Sequence, residues 1–227
     1  MPAVVAEGEK RVAAEAAAAL VAAGMTVGLG TGSTVAYLLP ALANLPFRLR
    51  CVASSPRTEA AARQVGLEVE PFGSVERFDL AIDGADQVAP DGWLVKGGGA
   101  AHTREKIVAA TAERFVVVVD STKQVERLRS PVPLELLAYG LSSTVRRLGD
   151  LGPVVRRPVG PSPDGGVIAD YLGPVADPEE LAGRFDATPG VVAHGLFPPA
   201  MVSAVVVGRE GGAEWLPATA APATGTG

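Results

Sequence analysis

The sequence predicts an α/β fold: a mostly parallel sheet with helices on both faces, followed by a smaller α+β subdomain. Three observations predict it. Up to about residue 123, short apolar runs alternate with longer helical stretches, the pattern of strands joined by crossover helices. Glycine- or aspartate-containing turns close several of those runs, at Gly30-Thr31-Gly32, Asp83-Gly84-Ala85-Asp86 and Asp120-Ser121-Thr122-Lys123. Residues 115–119 read Phe-Val-Val-Val-Val, an uninterrupted apolar run of the kind buried on both faces at the centre of a parallel sheet.

Residues 4–23 are alanine-rich. Glu7, Lys10, Arg11 and Glu15 fall in the first half, and Val12, Ala16, Leu20 and Ala23 lie near helical spacing. They predict a helix ended by Gly24 as its C′ residue. Residues 25–30 predict a strand, and 35–42 a helix after the turn Thr31-Gly32-Ser33-Thr34. A second strand ends in Cys51-Val52-Ala53-Ser54-Ser55. Ser54 and Ser55 precede Pro56 and a helix over 58–65, placed either to cap it or to face a cleft. Cys51, flanked by apolar residues, is expected in the core. Strands follow at 67–71 and 78–82, then a turn and short strand over 89–95 carrying Trp93. Residues 103–112 predict a helix with Thr103 as N-cap.

Beyond the strand at 115–119 the character changes. Two prolines within 129–133 mark a boundary, and 134–148 read as strand then helix. Residues 154–159 and 166–170 are two strands joined by a Gly-Pro-Ser-Pro-Asp-Gly-Gly turn, 177–185 a helix, and 191–196 and 204–207 strands. The end of the chain, rich in Ala, Pro, Thr and Gly, has little to bury and is expected to be disordered from about Leu216. The expected organisation is a Rossmann-like domain over 1–128 and 205–216, a ferredoxin-like subdomain over 129–204, and a tail over 217–227.

Composition narrows the function classes. The 227 residues carry 20 Lys and Arg against 25 Asp and Glu, a net charge of −5, which argues against a nucleic-acid or anionic-membrane partner. Any anion site must therefore be a local cluster of lysines. One cysteine and two histidines supply neither a disulfide framework nor a Cys- or His-rich metal centre. No apolar stretch approaches the roughly 20 residues that span a membrane. The N-terminus lacks a basic region followed by an apolar run and cleavage site. A cytoplasmic setting is the expectation.

Four strand ends or loops offer complementary chemistry. Thr31, Gly32, Ser33 and Thr34 set a glycine turn between a strand and a helix N-terminus. There backbone N–H groups and the positive dipole end face an anion, and three hydroxyls add donors. The glycine spacing does not fit the dinucleotide fingerprint, no acidic residue follows the second strand, and no Gly-Lys-Ser/Thr is present. A phosphate is expected; a dinucleotide or nucleoside triphosphate is not. Asp83 and Asp86, separated by Gly84 and Ala85, stand at a strand's carboxyl end, where open α/β sheets bind ligands; Asp-Gly also serves as a plain turn. Lys96 precedes Gly97, Gly98 and Gly99, which let a ligand approach the backbone. Glu105 falls in the first turn of the next helix, either as a proton carrier or as a complement to the macrodipole. Lys123 and Lys10 are further candidate cations.

Five blocks together resemble a known family. They are Gly28-Leu-Gly-Thr-Gly-Ser-Thr34, Asp83-Gly-Ala-Asp86, Lys96-Gly-Gly-Gly-Ala-Ala101, Thr103-Arg-Glu-Lys106 and Ser121-Thr-Lys-Gln-Val125. They resemble the signature blocks of type A ribose-5-phosphate isomerase, in the family's order and at about its spacing. Pro189-Gly-Val-Val192 and Gly195-Leu-Phe197 match its late region, so the resemblance spans roughly residues 5 to 210. It implies an aldose–ketose isomerase that interconverts ribose 5-phosphate and ribulose 5-phosphate with no metal or other cofactor, as a homodimer or tetramer. It puts the general base on Glu105, the sugar-contacting carboxylates on Asp83 and Asp86, and the active-site lysine on Lys96. Phosphate contacts fall on Ser33, Thr34 and Lys123, with Lys10 in a matching place. Asp83 is the expected acid/base for ring opening.

Two other readings use the same phosphate site. One is a related sugar-phosphate isomerase or deaminase, which is expected to use a histidine for ring opening; only His102 stands near, as a rival base. The other is a sugar-phosphate-sensing module without turnover, which usually carries a basic DNA-binding segment absent from this sequence. His194 is expected to be structural.

Overall fold

The computed structural model describes residues 2–217. The chain opens with helix α1 (Pro2–Ala18), and its alternating units follow: β1 (Thr26–Leu29), α2 (Ser33–Ala43), β2 (Arg50–Ala53), α3 (Pro56–Gln64) and β3 (Glu68–Val69). β4 (Leu80–Asp83) returns to the sheet centre, β5 (Gln87–Val88) and β6 (Leu94–Val95) leave it, and α4 (His102–Thr111) leads into β7 (Phe115–Asp120). A second unit holds β8 (Val132–Leu136), α5 (Leu141–Gly149), β9 (Val154–Arg156), β10 (Val167–Tyr171), α6 (Pro178–Asp186) and β11 (Val191–His194). The chain closes with β12 (Leu196–Phe197), β13 (Ala204–Arg209) and β14 (Gly212–Pro217).

The main sheet has seven strands in the order β14-β13-β7-β4-β1-β2-β3, parallel except for β14. Its side chains alternate between two cores. Val116, Val118 and Val206 pack with Ala13, Ala17, Leu38 and Leu42 of α1 and α2. Val117, Val119, Val205 and Val207 pack with Val108 and Ala109 of α4 on the other face. This period-two division is why the run 115–119 is apolar throughout. Strand succession reverses between β1 and β4: β1, β2 and β3 step one way, and β4, β7 and β13 the other. That is the switch point at which open α/β sheets leave a crevice at the strand carboxyl ends.

The second unit has the succession β-α-β-β-α-β and an antiparallel sheet in the order β11-β8-β10-β9, the ferredoxin-like arrangement. Leu134, Leu136, Tyr171, Phe185 and Leu148 fill its core. A small sheet, β12-β6-β5, joins the segment after Asp86 to the chain leaving the second unit. Among the described residues, no helix is long and apolar enough to cross a membrane.

Three expectations are corrected. The first helix stops at Ala18 rather than at Gly24, and Gly24 instead takes a left-handed turn (φ 87°) just before β1. Leu216 is not in a disordered segment. It pairs with Val205 in β14, where the hairpin with β13 supplies the sheet edge that composition could not reveal. Residues 218–227 of the expected tail lie outside the described residues. Thr103 is not an N-cap. Helix α4 begins one residue earlier with Ala101 at the cap and no side-chain capping bond, because the Thr103 hydroxyl donates instead to the buried Glu135 carboxylate of β8.

Candidate active site

The crevice at the switch point is an open cleft of about 100 Å³, lined by residues 31–34, 84–86 and 96–99 with Glu105 and Lys123. β1 delivers the turn at one side. Helix α2 starts there with Gly32 at its cap and no side-chain capping bond, which leaves its first N–H groups for a ligand. The Thr31 hydroxyl is turned away, donating to Ser55 Oγ at 2.8 Å beside Ser54 and Thr58. Ser55 also caps α3, accepting from Thr58 N. Ser55 thus serves the capping alternative, the Ser54 hydroxyl pairs with that of Thr31, and Thr58 ties the cluster to the Gly30 carbonyl.

Asp83, the last residue of β4, is buried behind the cleft wall. Its Oδ1 accepts the N–H groups of Thr31 (2.9 Å) and Gly84 (2.7 Å), and its Oδ2 lies 2.8 Å from Lys96 Nζ. Lys96 follows β6, is equally buried, donates to the Gly84 carbonyl, and lies 3.1 Å from Glu105 Oε2. That last contact is close but poorly aligned, so Glu105 Oε2 has no true hydrogen bond. Burial raises the carboxyl of Glu105 to about 8, the nearby Asp83 charge adds to the rise, and Lys96 only partly opposes it. Burial also pushes Asp83 up, against Lys96 and two backbone donors. Burial works against the charge on Lys96, but Asp83 and Glu105 more than offset it and hold the ammonium above the usual lysine range. Two carboxylates therefore share one buried cation. Burial disfavours the charge on both, and Asp83 has the additional backbone donors that favour its ionised form.

The glycine loop bridges to the second carboxylate: Asp86 Oδ2 accepts the Gly98 N–H at 2.7 Å. Gly97 is left-handed (φ 101°), and a Cβ there would stand 2.8 Å from His102, so glycine is required. On the far side Lys123 ends a short turn anchored from α1, where Glu9 Oε2 accepts Ser121 N (2.9 Å) and Ser121 Oγ (2.6 Å).

Of the sequence-predicted residues, the structure brings Thr31, Gly32, Ser33, Thr34, Gly84, Ala85, Asp86, Lys96, Gly97, Gly98, Gly99, Glu105 and Lys123 to one cleft. Asp83 supports it from behind. Lys10 does not line it; its Nζ lies 2.6 Å from Glu7 Oε1 three residues back on α1. His102 is fully buried, lines no part of the cleft, and is pushed down to about 3 by burial and then by Lys106. It has neither the reach nor the basicity of a rival base. His194 is buried as well, with Nδ1 accepting Leu196 N and Nε2 3.1 Å from Asp186. The Cys51 thiol is core, pushed up to about 12 by burial. Sequence reasoning missed Glu9, Glu135 and Arg157, whose partners lie 112, 32 and 60 residues away, and no local pattern marks them.

Comparison with known proteins shows what the sequence and fold are similar to. Residues 50–212 match the sequence model of the family described as ribose 5-phosphate isomerase A (phosphoriboisomerase A). A ribose-5-phosphate isomerase A of Roseiflexus castenholzii is 44% identical over 216 residues, covering 89% of this chain and 92% of the relative. One from Methanosarcina acetivorans is 42% identical over 222 residues, with 90% and 92% covered. Among solved structures, ribose 5-phosphate isomerase A from Neisseria gonorrhoeae superposes with a TM-score of 0.89 at 30% identity, covering 93% of this chain and 97% of that one. A D-ribose-5-phosphate isomerase in complex with phospho-erythronic acid superposes at 0.87 and 30% identity, with 93% and 99% covered.

Proposed function

The chain belongs to the ribose 5-phosphate isomerase A family, and from that membership we propose how its cleft works. The protein is an aldose–ketose isomerase that interconverts D-ribose 5-phosphate and D-ribulose 5-phosphate. In our reading the phosphate sits at the start of α2, on the Ser33 and Thr34 side with Lys123, and the sugar runs toward Lys96. Glu105 takes the proton from C2 of the open-chain aldose, leaving an enediolate, and returns it to C1, while the hydroxyl proton passes from O2 to O1 to complete the ketose. Lys96 stabilises the negative oxygens that develop, and its fixed place means that little reorganisation accompanies the reaction. Asp83 is assigned to holding Lys96 and the two turns, since its oxygens are already engaged. Ring opening is assigned to Asp86, the aspartate that faces the cleft.

The observation that supports this most is the buried set of Glu105, Lys96 and Asp83 at the cleft floor, with a carboxyl poised near neutrality. A base with that poise suits carbon acid chemistry better than a solvated glutamate does. A homodimer or tetramer, as the family resemblance implies, and a cytoplasmic setting, as the composition suggests, stay part of the proposal. The test is direct: purified protein in EDTA converts ribose 5-phosphate to ketose, followed spectroscopically. No ketose overturns the isomerase reading, and activity lost to EDTA overturns the metal-free mechanism alone.

A further inference from the structure

One contact crosses from the ferredoxin-like unit into the cleft wall. Arg157 directly follows β9, and its N–H extends the pairing with β10 by donating to the Ile168 carbonyl. Its side chain turns the other way. Nη1 donates to the carbonyl oxygens of Gly97 (2.9 Å) and Gly98 (3.2 Å) in the glycine loop. Asp170 of β10 aligns the guanidinium with two parallel bonds, Nε to Oδ2 at 2.7 Å and Nη2 to Oδ1 at 2.6 Å. Both side chains are mostly buried, at 15% and 19% exposure, so solvent screens the pair little.

A trans peptide points its N–H opposite to its carbonyl. Fixing the Gly97 carbonyl on Arg157 therefore aims the Gly98 N–H away from it, and that N–H meets Asp86 Oδ2 at 2.7 Å. The result is a continuous chain from Asp170 through Arg157 and one peptide to Asp86, with every dipole aligned between two carboxylates. The Gly98 carbonyl fixes the next peptide, whose N–H belongs to the cleft-lining Gly99.

We propose that Arg157, aligned by Asp170, is a positioning residue for the sugar end of the cleft, setting the glycine loop and through it the Asp86 carboxylate. The proposal rests on the isomerase reading. Arginine is needed because a lysine has no planar fork to hold Asp170 and two carbonyls together. The phosphate end has separate supports, in α2 and in the Glu9-anchored turn, and is untouched.

The experiment measures kcat and KM for ribose 5-phosphate, and competitive inhibition by inorganic phosphate, in wild type, R157M, R157K, D170N and D164N. Loss of a charge-assisted contact that orders a binding loop is expected to raise the KM of R157M about tenfold or more. Its kcat changes less, and phosphate inhibits as in wild type. R157K and D170N shift KM the same way by less. D164N removes the exposed Arg104–Asp164 pair, another bridge between the units, and leaves KM unchanged. An unchanged KM in R157M overturns the proposal, as does a parallel weakening of phosphate inhibition or an equal KM rise in D164N. If R157M does not fold, R157K and D170N decide by the same readouts. A wild type that makes no ketose overturns the isomerase reading and this inference with it; an active wild type with a normal R157M overturns this inference alone.

Discussion

Glu105 illustrates how much of a residue's chemistry comes from its surroundings. In the first turn of α4 the helix dipole favours its ionised form, yet burial and Asp83 outweigh that and raise its carboxyl to about 8. The sign of the pH dependence follows. The base works only when deprotonated, so kcat/KM climbs as pH rises through about 8 and falls on the acid side. The apparent value belongs to the Glu105, Lys96 and Asp83 set, since these groups titrate together. A kcat/KM profile that stays flat between pH 6 and 9 contradicts the assignment. The residue types at these positions were legible in the sequence. Their division of labour was not: the sequence reading gave ring opening to Asp83, and the two backbone donors and the 2.8 Å contact of Asp83 to Lys96 are what support our proposal of Asp86 for that task.

At the scale of elements, the site depends on the close approach of two strand ends. β1 and β4 are neighbours, and the residue after β1 is Gly30. A Cβ at Gly30 would lie 1.9 Å from the Asp83 carboxyl carbon, so a methyl group there must displace the group that holds Lys96. A displacement of about 1 Å at a catalytic group can cost about a hundredfold. We expect G30A to fold and to lose about that factor in kcat/KM, whereas G73A, where a Cβ meets nothing within 4 Å, keeps wild-type kinetics. Equal kinetics for G30A and wild type would refute the tight strand-end geometry. Turns of this kind are legible because their chemistry is local. The start of α4 was misread at Thr103 because its hydroxyl is claimed by Glu135, 32 residues on, and tertiary partners override capping preference.

At the scale of the molecule, two separately built sheets meet at one cleft. The switch point between β1 and β4 supplies the phosphate turn and the aspartate turn, and the ferredoxin-like unit reaches the glycine loop through Arg157. Alternation of strands and helices made the parallel sheet readable, since each unit announces itself by its own periodicity. The antiparallel β14 was not readable, because its Gly-Ala-Glu-Trp-Leu-Pro run leads directly into an Ala-, Pro-, Thr- and Gly-rich end and is defined by its partner β13. The place of Lys10 was not readable for a related reason: a lysine's reach is set by its neighbours on the helix, and its Nζ lies 2.6 Å from Glu7 Oε1. The central claim is that this architecture delivers one carboxylate to the sugar carbons of ribose 5-phosphate. The most direct test is the steady-state kinetics of E105Q, which keeps the shape of the side chain and removes its basicity. The account predicts a kcat at least about a hundredfold below wild type with KM little changed; near-normal turnover in E105Q would contradict it.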